Sequence, residues 1–559
     1  MPKTSSFALG TLAVAGAKVL FVLSSYGTLL LLPRVLADAA EFGRFATVLA
    51  LIGIIDNVIV ATTLQSVGRE IAGQGSSAGS ALRFGLVRHS LPVVGIALAL
   101  ALCAAWVTAW LRDASLTLPL QVATASVAGY GLYAVLLGVL NGTQRFGLQA
   151  LVDGCFSLLR FAGLVLGAWL TGRAFGAFLG LGASLGAMTL VCGAVVTQLR
   201  WQAAASGRRE RAPAPQGVAA PPDGTLTADP GVPGESGGAA SGGDAPGAAA
   251  AHAPKAAVTA LRPWLSFVLP LLAFHLGINA LLQLDITLLK LFSGEALLAG
   301  GVSTGEASAT SSRLAGHYRA AQSFAFVAYQ LAVPLALTAF PVVSRLKREG
   351  AAALNTTLVG TLRAAWIGAL LIAIPISANS HALLSFVYPE GYAVAATSLA
   401  VLAPGLALFA VFVIVSTALA ALGHPARCAL FALIGTLIMA FTLERALQTP
   451  ASEVSTLTRT AVATSSGIVV SLGLALYTLH TQGAPLPYRT LFGGGIAAAV
   501  AWWAGDTLSG EGFLRLAGAG AASALTFVLA TVLTGAISRQ ELAKVRRAVQ
   551  GKVRGRTRA

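Results

Sequence analysis

The sequence predicts an all-α polytopic membrane protein with about 14 transmembrane helices. Two six-helix lobes, related as a parallel repeat, would surround a central cavity, and two extra C-terminal helices would follow. Of the 559 residues, 56% are hydrophobic and only 10% are charged, whereas a soluble domain carries about 25% charged residues. Apolar runs of about 20 residues, the length that crosses the hydrocarbon layer, recur along nearly the whole chain. Two pairs of short segments also repeat between the two halves.

The predicted helices are apolar runs of membrane length that end at polar or turn-forming residues. In chain order they cover residues 7–32, 44–66, 89–111, 117–140, 150–171, 174–198, 263–292, 314–343, 354–378, 393–421, 426–446, 459–481, 487–508 and 513–537. Helices 1–6 make up an N-lobe (residues 1–200) and helices 7–12 make up a C-lobe (residues 261–482). Helices 13 and 14 occupy residues 483–538.

Two segments outside the lobes have a different composition. Residues 201–260 are mostly Ala, Gly, Pro and Ser, which cannot bury enough apolar surface to offset the entropy of ordering, so they predict a disordered cytoplasmic linker. A plain tether is favoured over a docking segment. Residues 539–559 form a basic tail in which Glu541 is the sole acidic residue. This tail is predicted to lie on the anionic lipids of the inner leaflet.

The charge distribution gives the orientation. The net charge of +16 comes from Lys and Arg at helix ends and in the tail, a pattern typical of contact with anionic lipid, and nucleic acid is not predicted as a partner. The basic residues that flank helices 6, 7 and 14 lie within the distance at which the positive-inside rule applies. Both termini are therefore predicted to be cytoplasmic.

The internal repeat consists of two matched pairs of segments. EFGRFATVLALIGIIDNV from Glu41 is echoed by LAGHYRAAQSFAFVAYQL from Leu314, and LNGTQRF from Leu140 is echoed by ALGHPAR from Ala421. The offsets, 273 and 281 residues, fit one duplication. Since each unit holds six helices, an even number, the copies are predicted to be parallel, with the cavity between them.

Four ionisable residues lie well inside predicted helices: Lys18, Asp56, Arg160 and Asp285. Each would cost roughly 2.5–3.5 kcal/mol if it faced lipid at the bilayer centre, so they must face protein or water. Two alternatives stay open. The charges can pair with one another and join helices, or Lys18 and Arg160 can bind an anionic group while a carboxylate binds a proton or a cation. Arginine suits phosphate because its planar fork donates two hydrogen bonds at once.

Helix 8 carries three further candidates. Tyr318 and Arg319 are predicted at its outer mouth, where interface anchoring and substrate contact are equally open. Gln322, one turn further in, is a candidate for hydrogen bonding to a sugar. Lys290 is predicted one turn from the outer end of helix 7, from which it can snorkel to the interface.

Missing motifs limit the enzyme hypothesis. The sequence contains no GxxxxGK[ST] phosphate loop and no HExxH motif, so neither ATP hydrolysis nor a metal site of that type is predicted. The extracytoplasmic loops are short, the longest being about 293–313. A membrane polysaccharide polymerase or glycosyltransferase would need a larger catalytic loop, so the chain is predicted not to be an enzyme, although this class remains the main alternative to a transporter.

Several segments together resemble a known family. They are LPRVLADAAEFGRFATVLALIGIIDN, VLNGTQRFGLQALVDGCFSLLR, QLDITLLKLF, AGHYRAAQSFAFVAYQLAVPLALTAFPVVSRL and ALGHPARCALF. In this order and spacing they resemble the bacterial polysaccharide (O-antigen type) flippases of the multidrug/oligosaccharidyl-lipid/polysaccharide exporter superfamily. The resemblance covers predicted helices 1–2, 4–5, 7–8 and 10–11, and the long linker departs from the family pattern.

The resemblance implies a function. Two lobes forming a V would translocate undecaprenyl-pyrophosphate-linked oligosaccharide across the bacterial inner membrane by ion-coupled alternating access, for cell-surface polysaccharide biosynthesis. Lys18, Arg160 and Arg319 would be cavity cations, and Asp56 and Asp285 coupling acids for H⁺ or Na⁺, with no other cofactor. Further candidate partners are the polysaccharide polymerase and the chain-length machinery. A lipid II flippase and a multidrug exporter remain alternatives, although buried cations disfavour the export of cationic drugs.

Overall fold

The computed structural model describes residues 4–74, 78–143, 145–210, 261–349, 351–449 and 451–537. Fourteen long helices, numbered here as in the prediction, run through these residues. They are α1 (Thr4–Val35), α2 (Ala39–Gln74), α3 (Ala78–Gly85, a π-helical turn at Leu86–Ser90, and Leu91–Trp110), α4 (Thr117–Gly142), α5 (Phe146–Thr171), α6 (Ala174–Glu210), α7 (Leu261–Ala299), α8 (Thr304–Glu349), α9 (Ala351–Ala378), α10 (Ala396–Ala421), α11 (Pro425–Leu447), α12 (Glu453–Thr481), α13 (Tyr488–Leu508) and α14 (Phe513–Leu533). Short helical turns at Ala114–Leu116, Ser380–Val387 and Tyr392–Ala395 lie in the connections.

The helices have the length and surface of membrane spans. Eleven helices of the described chain, namely α2–α7, α9–α12 and α14, are long and apolar enough to cross a membrane. Their outward faces keep large apolar side chains exposed; Leu102 and Trp106 of α3 are 75% and 74% exposed. Such a surface is stable only in lipid. The predicted fold class is therefore confirmed, and the chain is a multi-pass membrane protein.

The two lobes repeat the same packing. In the N-lobe, α1 packs on α5, α2 on α4, and α6 on both α4 and α5; in the C-lobe, α7 packs on α11, α8 on α10, and α12 on both α10 and α11. Each pair in one lobe is the counterpart of a pair in the other, so the predicted parallel repeat is confirmed. The helices α13 and α14 pack on each other and on α9.

The helices α2 and α8 cross at two glycines that the repeat had matched. A Cβ added to Gly43 would collide with the carbonyl oxygen of Ser312, and a Cβ added to Gly316 would collide with that of Ala39. The residues of each contact are the counterparts of those of the other at the offset of 273 residues. Such a reciprocal contact is what a two-fold axis produces. The pseudo-symmetry axis of the two lobes therefore passes through this crossing.

We expect Gly43→Ala to destabilise this crossing, because the new methyl group meets a backbone oxygen that cannot move alone. Overpacking of this kind costs typically about 1–3 kcal/mol, so the melting temperature of the purified protein should fall. Gly305→Ala, on α8 with nothing within 4 Å of the new Cβ, is the matched control. Equal melting temperatures for the two variants would contradict the close crossing.

Two predictions at helix ends need correction. The extracytoplasmic loop predicted at about 293–313 is wrong, because α7 and α8 extend through most of it and only residues 300–303 are non-helical. Gly301, at a φ of 82°, makes the tight reversal, and Ser303 caps α8 by accepting the backbone N–H of Glu306 at 3.4 Å. Residues 201–210 of the predicted linker continue α6. The rest of the linker, and the basic tail, lie outside the described residues.

Candidate functional site

A buried carboxylate, Asp285 of α7, is the centre of a polar cluster in the C-lobe. Its side chain is 0% exposed. It accepts hydrogen bonds from the hydroxyl of Tyr318 on α8 at 2.9 Å and from the hydroxyl of Thr464 on α12 at 3.1 Å. The amide Nε2 of Gln322 donates to it at 3.1 Å. Three helices of the C-lobe are therefore joined through one acidic side chain.

The same glutamine connects this carboxylate to an arginine. The Oε1 atom of Gln322 accepts a hydrogen bond from Nη1 of Arg319 at 2.7 Å, while its Nε2 atom donates to Asp285. Arg319 also lies over the ring of Phe326, with 5.4 Å between the guanidinium carbon and the ring centroid. Its Nε atom is buried without a hydrogen-bond partner in the described chain. The guanidinium and the carboxylate are thus coupled through a neutral amide, and the arginine keeps a free donor.

The structure places these residues further along α8 than the sequence predicts. Because α8 begins at Thr304, Tyr318 and Arg319 lie about four turns from its start and not in its first turns. Tyr318 is 0% exposed and Gln322 is 1% exposed. Interface anchoring by Tyr318 is therefore excluded, while the roles predicted for Arg319 and Gln322 in substrate binding stay predictions.

A second polar group lies in the N-lobe. Arg160 of α5 is half-buried; its guanidinium lies 4.7 Å from the ring centroid of Phe21 on α1 and donates to the hydroxyl of Ser25 at 3.3 Å. Asp56 of α2 is buried and close enough to Arg160 to interact electrostatically. Its Oδ1 atom has no hydrogen-bond partner in the described residues. Lys18 lies in α1, but its side chain is outside the described part.

The candidate residues therefore form two groups, one in each lobe. Each group contains a carboxylate and a nearby arginine that are not in direct contact among the described ion pairs. One alternative was that the buried charges pair directly with one another. The described part of the chain shows no such pair for Arg160 or Arg319. Tyr26 of α1 lies within electrostatic range of Arg319, and its hydroxyl is buried without a partner in the described residues. The N-lobe thus reaches the C-lobe cluster through this tyrosine.

Sequence reasoning missed Tyr26 and Thr464 as members of these groups. A threonine in an apolar helix has no distinctive pattern, since its hydroxyl can bond to a carbonyl of its own helix, and a lone tyrosine in such a helix has none either. It also missed the contact between α2 and α7, where Asn57 donates to Asn279 at 2.9 Å. Two asparagines at corresponding depth in predicted helices were the available signal for that contact.

Lys290 does not snorkel to the interface, contrary to the prediction. Because α7 continues to Ala299, Lys290 is buried within the bundle, and its Nζ atom lies 2.7 Å from Oδ2 of Asp113. The two side chains are 0% and 1% exposed. This ion pair joins the C-lobe to the connection between α3 and α4 of the N-lobe.

The fold matches solved transporters. The lipid II flippase MurJ, in an inward closed conformation, superimposes with a TM-score of 0.62 at 11% identity, covering 94% of this chain and 98% of that one. A single-residue variant of the Vibrio cholerae MATE transporter VcmN gives a TM-score of 0.54 at 14% identity, over 86% of this chain and 98% of that one. At these identities the similarity shows a shared fold.

A third match is an inward-facing multidrug resistance MATE family transporter of the MOP superfamily, with a TM-score of 0.52 at 12% identity. The match covers 84% of this chain and 94% of that one. No protein-family model and no curated protein sequence matches the chain. The chain therefore shares the fold of these transporters, and the resemblance to polysaccharide flippases stays a prediction.

Proposed function

We propose that this protein is a flippase that translocates undecaprenyl-pyrophosphate-linked oligosaccharide across the bacterial inner membrane by ion-coupled alternating access. The observation that carries the proposal is the presence, in each lobe, of one arginine inside the bundle, Arg160 or Arg319, without a carboxylate in direct contact. A cation inside the bundle that no carboxylate contacts directly is able to bind an anionic group. The pyrophosphate of a lipid-linked sugar supplies one, and the fold shared with MurJ and MATE transporters agrees with transport.

Both arginines retain capacity for a phosphate. Arg160 bonds to the hydroxyls of Ser25 and Tyr130 and lies over an aromatic ring, which leaves some of its five donors available. Arg319 has a free Nε atom, and the unpartnered hydroxyl of Tyr26 lies near it. Charge-assisted bonds from such donors are about twice as strong as neutral ones. The polar headgroup would cross between the lobes while the prenyl chain stays in lipid.

Asp285 is the proposed coupling residue of the C-lobe, with Asp56 as its N-lobe counterpart. A proton or Na⁺ at Asp285 would neutralise the carboxylate that now holds Gln322. The amide would then hold Arg319 less firmly and leave its guanidinium available to the anionic substrate. Binding of the ion and of the substrate would therefore be linked, and this linkage must be reciprocal.

We further propose that both termini are cytoplasmic, that the basic tail binds anionic lipid, and that the polysaccharide polymerase and chain-length machinery are functional partners. A lipid II flippase is the second candidate, favoured by the match to MurJ, and its substrate carries the same pyrophosphate. A multidrug exporter is disfavoured because buried arginines repel organic cations.

The test uses the purified protein in vesicles that contain one fluorescent lipid at a time. We expect loss of leaflet asymmetry for an undecaprenyl-pyrophosphate oligosaccharide, and none for an organic cation. Faster transfer of lipid II would instead favour the second candidate. Formation of a glycosidic bond by the purified chain would overturn the transport proposal in favour of a polymerase.

Asp56→Asn is expected to slow transport and to flatten its dependence on pH, because an amide cannot bind and release a proton. Transport into vesicles should be measured at several pH values with equal amounts of inserted protein. Asp506→Asn, at an exposed position of α13, is the control and should behave as the wild type. An unchanged pH profile in Asp56→Asn would remove this residue as a coupling group.

A further inference from the structure

The ion pair between the lobes is completed by a hydroxyl from a third segment. Ser312 of α8 donates to Oδ2 of Asp113 at 3.2 Å and accepts a hydrogen bond from Nζ of Lys290. Asp113 belongs to the α3–α4 connection of the N-lobe, whereas Lys290 and Ser312 belong to the C-lobe. All three side chains are buried. We call these three residues the latch.

The connection that carries Asp113 is built to hold it in place. Arg112 adopts a φ of 55° and is the one non-glycine residue with a positive φ among the described residues, a conformation that persists only where surrounding contacts hold it. Asp113 also caps the following turn, because its Oδ1 atom accepts the backbone N–H of Ser115 at 3.0 Å. The carboxylate therefore reaches Lys290 from a backbone fixed on both sides.

The latch lies at the crossing of α2 and α8. The carbonyl oxygen of Ser312 is the atom that a Cβ on Gly43 would strike, while the side chain of Ser312 joins the ion pair. Two independent features, the glycine crossing on the pseudo-symmetry axis and the buried pair, therefore meet at one residue. Any movement that separates the lobes at this end must break both.

We propose that Asp113, Lys290 and Ser312 latch the two lobes together at the outer end of the molecule and that each transport cycle must open this latch. The proposal rests on the alternating-access part of the proposed function. In the closed state the two charges satisfy each other away from water, whereas in the open state water would solvate both. Removal of one partner leaves an uncompensated buried charge, so it should shift the equilibrium towards the open state.

The Asp113 carboxyl does not act as a pH sensor in the ordinary range. Burial alone would raise the pKa of the Asp113 carboxyl, but the charge of Lys290 and the hydrogen bonds from Lys290 and Ser115 outweigh it and lower the pKa to about 2. The other charged group near Lys290 is Arg44, which forms an ion pair with Glu41. Because the pKa of this carboxyl is lower in the folded than in the unfolded protein, its ion pair stabilises the fold at any pH above the unfolded-state pKa. This stability is lost only as the pH falls towards 2. Protonation of Asp113 is therefore not expected to open the latch between about pH 5 and 8.

The experiment measures access to the crossing. Ala315 is 0% exposed and shares a helix face with Ser312 and Gly316, so Ala315→Cys reports opening there. The four native cysteines are first replaced by alanine or serine. The rate of labelling by a membrane-impermeant maleimide is then compared between this protein and its latch variants in nanodiscs.

Asp113→Asn and Lys290→Met should each raise the labelling rate by about tenfold or more, since each leaves a buried charge unpaired. The labelling rate of the double variant should exceed that of neither single variant, because the two charges act as a unit. The control is Glu453→Gln, which breaks the exposed pair with Arg313 at 2.6 Å. That pair lies at the same end of the molecule but within the C-lobe, so the labelling rate should not change.

Ser312→Ala keeps both charges and provides a milder variant if the others fail to fold. It should raise the labelling rate by less than either charge variant. Wild-type labelling rates in folded Asp113→Asn, Lys290→Met and Ser312→Ala would overturn the latch. Since labelling needs no substrate, raised rates without lipid transfer would retain the latch and refute the flippase proposal.

Discussion

Arg160→Ala is expected to abolish complementation of a strain that lacks its polysaccharide flippase, while the protein still inserts normally. The guanidinium of Arg160 contacts a ring and the hydroxyls of Ser25 and Tyr130, and in the described residues it makes no ion pair that would hold helices together. Removal of this side chain should therefore weaken binding of the anionic substrate more than it destabilises the fold. Hydrogen bonds to charged groups contribute about 1.5–3 kcal/mol each, so losing a bidentate contact should weaken binding about 100-fold or more.

The chain offers a matched control for this variant. Arg445 of α11 also lies over an aromatic ring, with 5.3 Å between its guanidinium carbon and the centroid of Phe441, but it is exposed at the end of its helix. Arg445→Ala should complement fully. Arg160→Lys should complement partly, because it retains the charge and loses the planar fork. Full complementation by Arg160→Ala would assign this residue a structural role at most.

The spans and the repeat could be predicted because each depends on a local property of the sequence. Hydropathy over about 20 residues locates a membrane helix without knowledge of its neighbours. The glycines at Gly43 and Gly316 were matched by their flanking residues, and their reciprocal contact then followed from symmetry. The start of α8 could not be found in this way. Residues 304–313 are Ser-, Ala- and Thr-rich, and hydropathy alone does not distinguish a polar helical extension from a loop.

For the buried polar residues, the sequence could predict the kind of environment but not the residues that they contact. The cost of a charge in lipid requires that Asp285 and Arg160 face protein or water, and both do so. It does not say which neighbour satisfies them, because that depends on how distant helices are brought together. Lys290 shows the limit most clearly. Its partner, Asp113, lies in another lobe and appeared in the sequence as an ordinary loop acid, so snorkelling was the simpler prediction.

The second large effect is expected at Asp285. Asp285→Asn should lower the rate of gradient-driven transport by about tenfold or more, because an amide of the same size cannot bind a proton or Na⁺ and a change of 1.4 kcal/mol already gives a factor of ten. The oxygen of the new amide side chain can still accept hydrogen bonds from Tyr318 and Thr464, so the C-lobe should fold. Any remaining transfer should no longer respond to an imposed gradient of H⁺ or Na⁺ across the vesicle membrane.

Graded variants separate coupling by Asp285 from simple loss of packing. Tyr318→Phe and Thr464→Val each remove one donor to the carboxylate and leave the charge, so both should keep a response to the gradient at a shifted ion concentration. Thr458→Val, which changes a half-buried threonine of the same helix α12 that bonds to its own backbone and to Thr397 rather than to Asp285, should behave as the wild type. If Asp285→Asn remains as dependent on the gradient as the wild type, the coupling ion must bind elsewhere. The connection through Gln322 to Arg319 would then be a structural contact within the C-lobe.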